Sequence, residues 1–272
     1  MADKSICVLG GGNTAFAVAA SLTLRGFDIA LCELPEFSGM LEPIANKRTI
    51  GLHGVAGEGM AKISIVTSDV AQALAEADLL LLIVPAYAQR PFAAACIPYI
   101  EDRHTVVLMP GTLGSLEWAA MLAVADKTAT LAEVDTAPYV CRKTAPDEAT
   151  IWGVVSGLGL GVLPAAKTEA VRALLDPLFP GMQTHPDALA CGLSSMNPVV
   201  HPAGVLMNAG RIERSHGEFY FYEEGVTPAV VRAIMAVDDE RRAIGRIFGY
   251  DLMPVNEAFH QAGFGPKGDL WA

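Results

Sequence analysis

Ser5-Ile6-Cys7-Val8-Leu9-Gly10-Gly11-Gly12-Asn13-Thr14-Ala15-Phe16 is the stretch that decides the fold. A short apolar run enters a glycine turn, and an Ala/Leu-rich segment with helical spacing, residues 15–24, leaves it. The turn carries a G-x-G-x-x-A pattern between a predicted strand and a predicted helix, the context in which such a pattern holds a dinucleotide. Gly10 permits the tight turn, and Gly12 lets the backbone approach a pyrophosphate where a side chain would collide. Ala15 allows close packing of helix on strand. The first N–H groups of the helix, at Asn13 and Thr14, together with its positive end, accept an anion without a lysine. A plain glycine loop is the alternative, and the strand, the helix and Glu33 together argue against it.

The next predicted strand, 29–32, runs into Glu33, close to the roughly 20-residue spacing at which a carboxylate receives the adenosine ribose hydroxyls. A carboxylate there repels a 2′-phosphate, so the expected cofactor is NAD, with NADP as the other candidate. Taken alone, Glu33 also reads as a solvated charge at a strand end.

Further apolar runs lie at 79–84, 105–109, 129–134 and 151–156, separated by helical stretches such as 70–77. Strand-length, nearly all-apolar segments alternating with helices predict an α/β fold: a Rossmann-type, doubly wound parallel sheet covered on both faces. Ligands of such sheets lie beyond the carboxyl ends of the strands. Val84, Pro85 and Ala86 are therefore read as a further wall of the cofactor site, and Pro110, Gly111 and Thr112 as a wall of the substrate site. Simple turn chemistry accounts for Pro and Gly at strand ends equally well.

After about Pro180 the alternation stops and helical periodicity takes over. The expected organisation is a dinucleotide-binding domain at 1–182 and a mostly α-helical second domain at 183–272. The clearest helix spans 227–248, with Thr227 as N-cap, Pro228 at the first helical position and Gly249 as the stop. Val230, Val231, Ile234, Val237, Ile244 and Ile247 are read as its apolar face. Asp238-Asp239-Glu240-Arg241-Arg242 is read as a solvated face with local ion pairs.

Composition narrows the partners. The formal net charge is −11, and no basic block interrupts it, so nucleic acid and anionic bilayers are not expected as ligands. With 52% hydrophobic and 18% charged residues the chain can bury a large core. That apolar excess also points to surface covered in an oligomer, a homodimer at its simplest. The apolar run 79–86, about eight residues, is far short of the roughly 20 of a membrane-spanning helix. Met1-Ala2-Asp3-Lys4 leads straight into the first strand with no secretory signal, which points to the cytoplasm. Five scattered cysteines without metal-ligand spacing read as reduced thiols, with neither a disulfide framework nor a zinc site. No metal site is expected. Cys141 beside Arg142 is the one thiol whose neighbour favours thiolate, although a structural role is the simpler reading.

In the second domain, Ser194-Ser195-Met196-Asn197-Pro198-Val199-Val200-His201-Pro202-Ala203-Gly204-Val205-Leu206-Met207-Asn208 concentrates polar residues at helical spacing. Asn197, His201, Gly204 and Asn208 share one face of such a helix. Buried amides and imidazole each need hydrogen-bond partners, so that face suits a pocket better than a packing surface. His201 titrates near neutrality and can carry a proton as hydride moves, while Asn197 orients the substrate or the ring. A hydrogen-bonded structural histidine is the alternative. The other five histidines lack such company.

With these residues in place, the sequence resembles the NAD/NADP octopine/nopaline dehydrogenase (opine dehydrogenase) family over nearly its whole length. The turn at 10–13, Val84-Pro85-Ala86, and Ala132-Glu133 through Tyr139-Val140-Cys141-Arg142 carry the likeness. More specific are Met196-Asn197-Pro198-Val199-Val200-His201-Pro202 and Phe221-Tyr222-Glu223-Glu224-Gly225-Val226-Thr227-Pro228, followed by Val237-Asp238-Asp239-Glu240-Arg241. The resemblance implies reductive condensation of an amino acid with a 2-oxo acid through an imine, or the reverse oxidation, with His201 as the catalytic histidine. It also implies cations for two substrate carboxylates, for which Arg142 is a candidate, with Asn208 as a further substrate contact.

In the family the helical domain continues beyond a stretch like Gly265-Pro266-Lys267-Gly268-Asp269-Leu270 and supplies there an acidic partner for the histidine. This sequence ends at Ala272, and two expectations stay open: a shorter helical domain with another carboxylate, Glu218 or Glu223, in that role, or a site of which part is absent. Two other readings stay open: a dehydrogenase of a simple 2-oxo acid or phosphorylated alcohol on the same plan, and a dinucleotide-binding sensor without catalysis.

Overall fold

The structure, a computed structural model, describes residues 5–261, 266–268 and 270–271. Met1 to Lys4, on which the leaderless start is read, and Gly265 and Asp269 lie outside the described residues.

The elements begin with β1 (Ser5–Leu9), α1 (Asn13–Leu24), β2 (Ile29–Cys32), α2 (Glu42–Ala45), β3 (Thr49–Gly54), β4 (Gly59–Lys62), β5 (Ile65–Thr67) and α3 (Val70–Leu74). Next come β6 (Ala77–Leu82), α4 (Ala86–Cys96), β7 (Thr105–Leu108), α5 (Gly114–Val124), β8 (Thr130–Val134), β9 (Tyr139–Ala145), β10 (Glu148–Val154) and β11 (Gly159–Leu163). Then follow α6 (Thr168–Leu175), β12 (Gln183–Thr184), α7 (Ala188–Ser194), α8 (Asn197–Met207), α9 (Ala209–Arg214), α10 (Pro228–Ile247) and α11 (Val255–Gln261).

Eight strands form one sheet in the order β12-β11-β8-β7-β6-β1-β2-β5. It is parallel from β5 to β8, β11 runs antiparallel to β8, and β12 pairs parallel with β11. The chain steps outward from β1 in both directions, which makes the β1/β6 boundary the topological switch point where ligands of open α/β sheets bind. β1 shows why the strands are apolar throughout. Ile6 and Val8 belong to the core on one face of the sheet, Cys7 and Leu9 to the core on the other.

A second sheet, in the order β4-β3-β10-β9, was not expected. Residues 151–154 of the run at 151–156 lie in it, within β10, rather than in the parallel sheet. Ile151 pairs with Gly54 of β3 on one side and Cys141 of β9 on the other. The glycine-rich hairpin β3–β4 carries little strand propensity of its own, so the pairing is visible only in three dimensions. This sheet covers α1, and Tyr139 Oη shares a 3.2 Å hydrogen bond with Ser21 Oγ. Enclosed by sheet on both sides, α1 is buried at every residue from Ala15 to Leu22. A helix that is apolar all round is the sequence expected for that position.

The chain divides into two compact units, Met1–Gly192 and Leu193–Ala272. The division falls inside α7 rather than at 182/183. β12 extends the large sheet beyond that point, and Gly161 of β11 leaves room for Cys191 of α7, which closes on the sheet.

The second unit is helical. Val199, Val200, Val230, Ile234 and Val255 form its buried core, each contributing about 1.5–3 kcal/mol by leaving water. Thr227 caps α10 as expected, its hydroxyl accepting from Val230 N at 3.4 Å, and Gly249 takes a positive φ of 80° just past the end.

The buried face of α10 differs from the expected one. Val237, Ile244 and Ile247 are exposed, while Asp238 and Arg241, read as solvated, are buried. Arg241 donates to Asp238 through Nε at 2.9 Å and also to the carbonyls of Leu193 (2.7 Å) and Met253. Asp238 accepts from Val255 N at 3.1 Å as well. The ion pair thus satisfies backbone groups of three segments, which an apolar side chain cannot do. Among the described residues, no helix is long and apolar enough to cross a membrane.

Candidate active site

The turn from β1 to α1 has the geometry the glycines suggest. Gly10 adopts φ +124°, and a Cβ there would stand 2.5 Å from Ile83 O and 2.9 Å from Val84 Cγ1. The 83–86 segment beyond β6 therefore lies directly against the turn, with Ile83 N donating to Leu9 O at 2.9 Å. Val84, Pro85 and Ala86 accompany it, Pro85 as N-cap of α4. Gly12 is the N-cap of α1, and a Cβ on it would meet nothing within 4 Å. Open space at Gly12 above the unpaired N–H groups of a helix start fits a dinucleotide pyrophosphate.

Glu33 is folded into this turn rather than solvated. Its Oε2 accepts from Gly11 N at 2.7 Å and its Oε1 from Leu34 N at 2.8 Å, and it is buried. Burial pushes its carboxyl above the usual range, opposed by those two amides. A carboxylate has about four acceptor sites, so both oxygens keep capacity for ribose hydroxyls.

The β7 end is built under strain. Thr112 and Leu113 take consecutive positive φ angles of 53° and 70°, each costing about 1–3 kcal/mol for a non-glycine residue. Two buried side chains hold them there. Glu133, fully buried on β8, accepts from Leu113 N (3.1 Å), Ser115 N (3.2 Å) and Ser115 Oγ (2.6 Å). Gln89 on α4 donates to the carbonyls of Pro110 (3.0 Å) and Gly111 (3.1 Å). Gly111 lies so close to Glu133 that a Cβ would overlap it. Burial raises the Glu133 carboxyl, offset in part by Ser115 and Leu113. Glu133 figured in the family likeness without a role, and its part in shaping Pro110, Gly111 and Thr112 emerges only from the fold.

Strand β9 borders the start of α1. Its alternation puts Tyr139, Cys141 and Lys143 on one side and Val140, Arg142 and Thr144 on the other, the first set facing α1. Cys141 Sγ lies 3.7 Å from Thr14 Oγ1, and Asn13 Oδ1 accepts from Lys143 N at 2.8 Å. Burial raises the Cys141 thiol and outweighs the lowering by Thr14 and Arg142, so the neighbour does not make it a thiolate. Arg142 is exposed, its Nη1 on the carbonyl of Cys141, on the strand face turned away from α1. The structure does not bring it to the turn; its strand neighbour Lys143 occupies that side.

In the helical unit, α8 begins at Asn197 and carries His201 one turn further on, between Pro198 and Pro202. His201 Nε2 lies 3.3 Å from Tyr222 Oη, and its ring packs edge-on against Phe221 with centroids 5.3 Å apart. Among the described residues its hydrogen-bond partner is this phenol, not Glu218 or Glu223. Glu224 is held by Arg211 at 2.8 Å, and Arg211 also donates to the Glu218 carbonyl. Burial keeps the His201 imidazole below the usual histidine range.

The gap at Gly204 is filled by the Phe221 ring, which a Cβ would strike. Asn208 Nδ2 donates to Gly204 O (2.8 Å) and Gly225 O (3.0 Å), tying the end of α8 to the 221–225 turn. That turn is a wide π-type turn, a form frequent at functional sites. Gly204 and Asn208, read from the sequence as members of one polar face with Asn197 and His201, pack against the 221–225 turn.

A glycine turn at the switch point of an open α/β sheet has the form of a dinucleotide site, and a histidine is suited to carry a proton, the two parts that a nicotinamide-dependent oxidoreductase needs. A family model described as NAD/NADP octopine/nopaline dehydrogenase, alpha-helical domain, matches residues 184–267. The sequence is 30% identical to the opine dehydrogenase of Arthrobacter sp. (strain 1C), over 96% of this chain and 72% of that protein. It is 27% identical to vitopine synthase of Allorhizobium ampelinum, over 91% and 69%. The fold is similar to octopine dehydrogenase in complex with NADH and agmatine, with a TM-score of 0.76 at 19% identity over 98% of this chain and 72% of that one. NADP+-bound yersinopine dehydrogenase is similar at a TM-score of 0.78 and 18% identity, over 96% and 68%. The chain belongs to the NAD/NADP-dependent opine dehydrogenase family.

Proposed function

We propose that the protein joins the amine of an amino acid to a 2-oxo acid and reduces the resulting imine to an opine, or runs the reverse oxidation. The observation that carries this reading is His201, half-buried, held by a phenol and with its pKa lowered by burial, within the Asn197-Pro198-x-x-His201-Pro202 helix of an opine dehydrogenase family member. A bound nicotinamide supplies or accepts hydride at the carbon. Gly10, Gly12, Asn13, Thr14, Ala15 and Glu33 hold its dinucleotide, flanked by Val84, Pro85 and Ala86. Pro110, Gly111 and Thr112 wall the substrate. Condensation releases water; His201 takes the proton shed by the attacking amine and returns it to the amine nitrogen on reduction. Asn197, at the start of the same helix, orients substrate.

Five buried free thiols suit a reducing compartment, and we place the protein in the cytoplasm. Stopped-flow oxidation of NADH with a 2-oxo acid, with and without a panel of amino acids, tests the assignment. Rates rise with the correct amino acid, and rates indifferent to every amine reject it in favour of a simple 2-oxo acid reductase. His201→Ala keeps cofactor affinity and lowers turnover by roughly 10² to 10⁴; an undiminished rate removes His201 from the mechanism, and turnover absent in wild type favours a sensor.

A further inference from the structure

Lys143 reaches the phosphate turn from a different sheet. Its main-chain N–H is fixed to Asn13, the first residue of α1, and its ammonium sits 3.5 Å from the ring centroid of Phe16 in the first turn of the same helix. Nζ also donates to Met40 O at 3.4 Å. Met40 itself packs beside the turn, since a Cβ on Gly11 would lie 3.1 Å from Met40 Cβ. One main-chain contact and two ammonium contacts, to α1 and to Met40, thus hold Lys143 at the helix start.

That cation has an aromatic face and a carbonyl, and among the described residues it has no carboxylate partner. In a chain of net charge −11 this is unusual. A half-buried ammonium loses hydration, and a cation–π contact replaces only part of it. Burial accordingly holds the Lys143 ammonium below the usual lysine range. An anion at the turn would offset the loss. The turn itself, Gly10 to Ala15, contributes backbone N–H groups and a helix end but no charged side chain.

We propose that Lys143 Nζ pairs with the pyrophosphate of the bound dinucleotide, as the charged member of a site otherwise made of backbone. The proposal rests on the assignment of the 10–15 turn as the cofactor site. Lysine suits the task because a point charge on a flexible stem can follow a diphosphate without dictating its orientation. The ring of Phe16 keeps the ammonium beside the first turn of α1.

The experiment measures binding of NADH, NADPH and ADP-ribose by fluorescence and calorimetric titration, with no substrate present. In Lys143→Met all three weaken by a similar factor, roughly tenfold for one partly exposed charge-assisted contact, and the affinity depends less steeply on salt than in wild type. Lys143→Arg keeps the charge and retains affinity to within a factor of about three. Equal NADH affinity in Lys143→Met and wild type overturns the proposal while leaving the cofactor site intact. A loss confined to NADPH overturns it by assigning the ammonium to the 2′-phosphate. Should Lys143→Met fail to fold, an unaltered wild-type salt dependence between adenosine and ADP-ribose does the same. Wild type that binds none of the three overturns the cofactor assignment and the proposal with it.

Discussion

Alanine at Gly10 and alanine at Gly12 separate two reasons for glycine within one turn. At Gly10 the backbone holds φ +124°, and the added methyl meets Ile83 O at 2.5 Å and Val84 Cγ1 at 2.9 Å. Backbone strain of about 1–3 kcal/mol and overpacking of similar size sum to roughly 2–6 kcal/mol. For a unit of this size each kcal/mol lowers the melting midpoint by about 2–4 °C, so Gly10→Ala melts roughly 5–20 °C below wild type. At Gly12 the backbone is extended at φ −79° and the methyl enters open space. Only the weaker N-capping of alanine acts there, about 0.5 kcal/mol, or 1–2 °C. Yet that open space is where the pyrophosphate comes close. Losing one charge-assisted hydrogen bond of about 1.5–3 kcal/mol raises the Kd for NADH roughly tenfold to hundredfold. Differential scanning fluorimetry without cofactor and NADH titration measure the two effects separately. A Gly12→Ala variant that binds NADH as wild type does, or a Gly10→Ala variant with an unchanged midpoint, would refute the reasoning.

Three further outcomes follow from the same geometry. With His201 as the proposed base for opine oxidation and burial lowering its pKa, oxidative kcat/KM rises with pH, is half-maximal below 6.5 and is flat above; a midpoint above 6.5 contradicts the burial argument. Asp238→Ala strands the buried Arg241 guanidinium and destabilises the helical unit by about 3–5 kcal/mol, whereas exposed Asp239→Ala stays within about 0.5 kcal/mol. Hydrogen exchange of peptides from 193–261 reads the difference, and equal protection in both variants removes the structural role of the pair. Glu133→Gln turns one acceptor into a donor facing Leu113 or Ser115, a mismatch of about 1–3 kcal/mol. The expected signature is a raised KM for the 2-oxo acid with NADH affinity unchanged; unaltered steady-state constants would show that the 110–113 loop holds its shape without Glu133.

Cofactor turn and histidine helix were both legible because each is written in consecutive residues. A strand, a glycine turn and a helix start follow one another along the chain, and the spacing alone places Gly12 at the cap and Glu33 at the next strand end. His201 and Tyr222 stand in two such stretches, but their 3.3 Å contact depends on how the 221–225 turn folds back on α8. Sequence reading therefore reached for an acidic partner and missed the phenol.

What remained hidden depends on pairing between distant segments. β9 alternates in Tyr139-Val140-Cys141-Arg142-Lys143, yet only its register with β10 and its packing on α1 show that Lys143 faces the turn and Arg142 does not. The charged run at 238–242 gives no local sign that Asp238 and Arg241 turn inward, because the carbonyls of Leu193 and Met253 that draw them in lie far away in sequence. Local conformational preference and apolar periodicity are properties of neighbours along the chain. The desolvation of a charge, and the partner that makes it tolerable, are properties of neighbours in space, and those the tertiary structure alone decides.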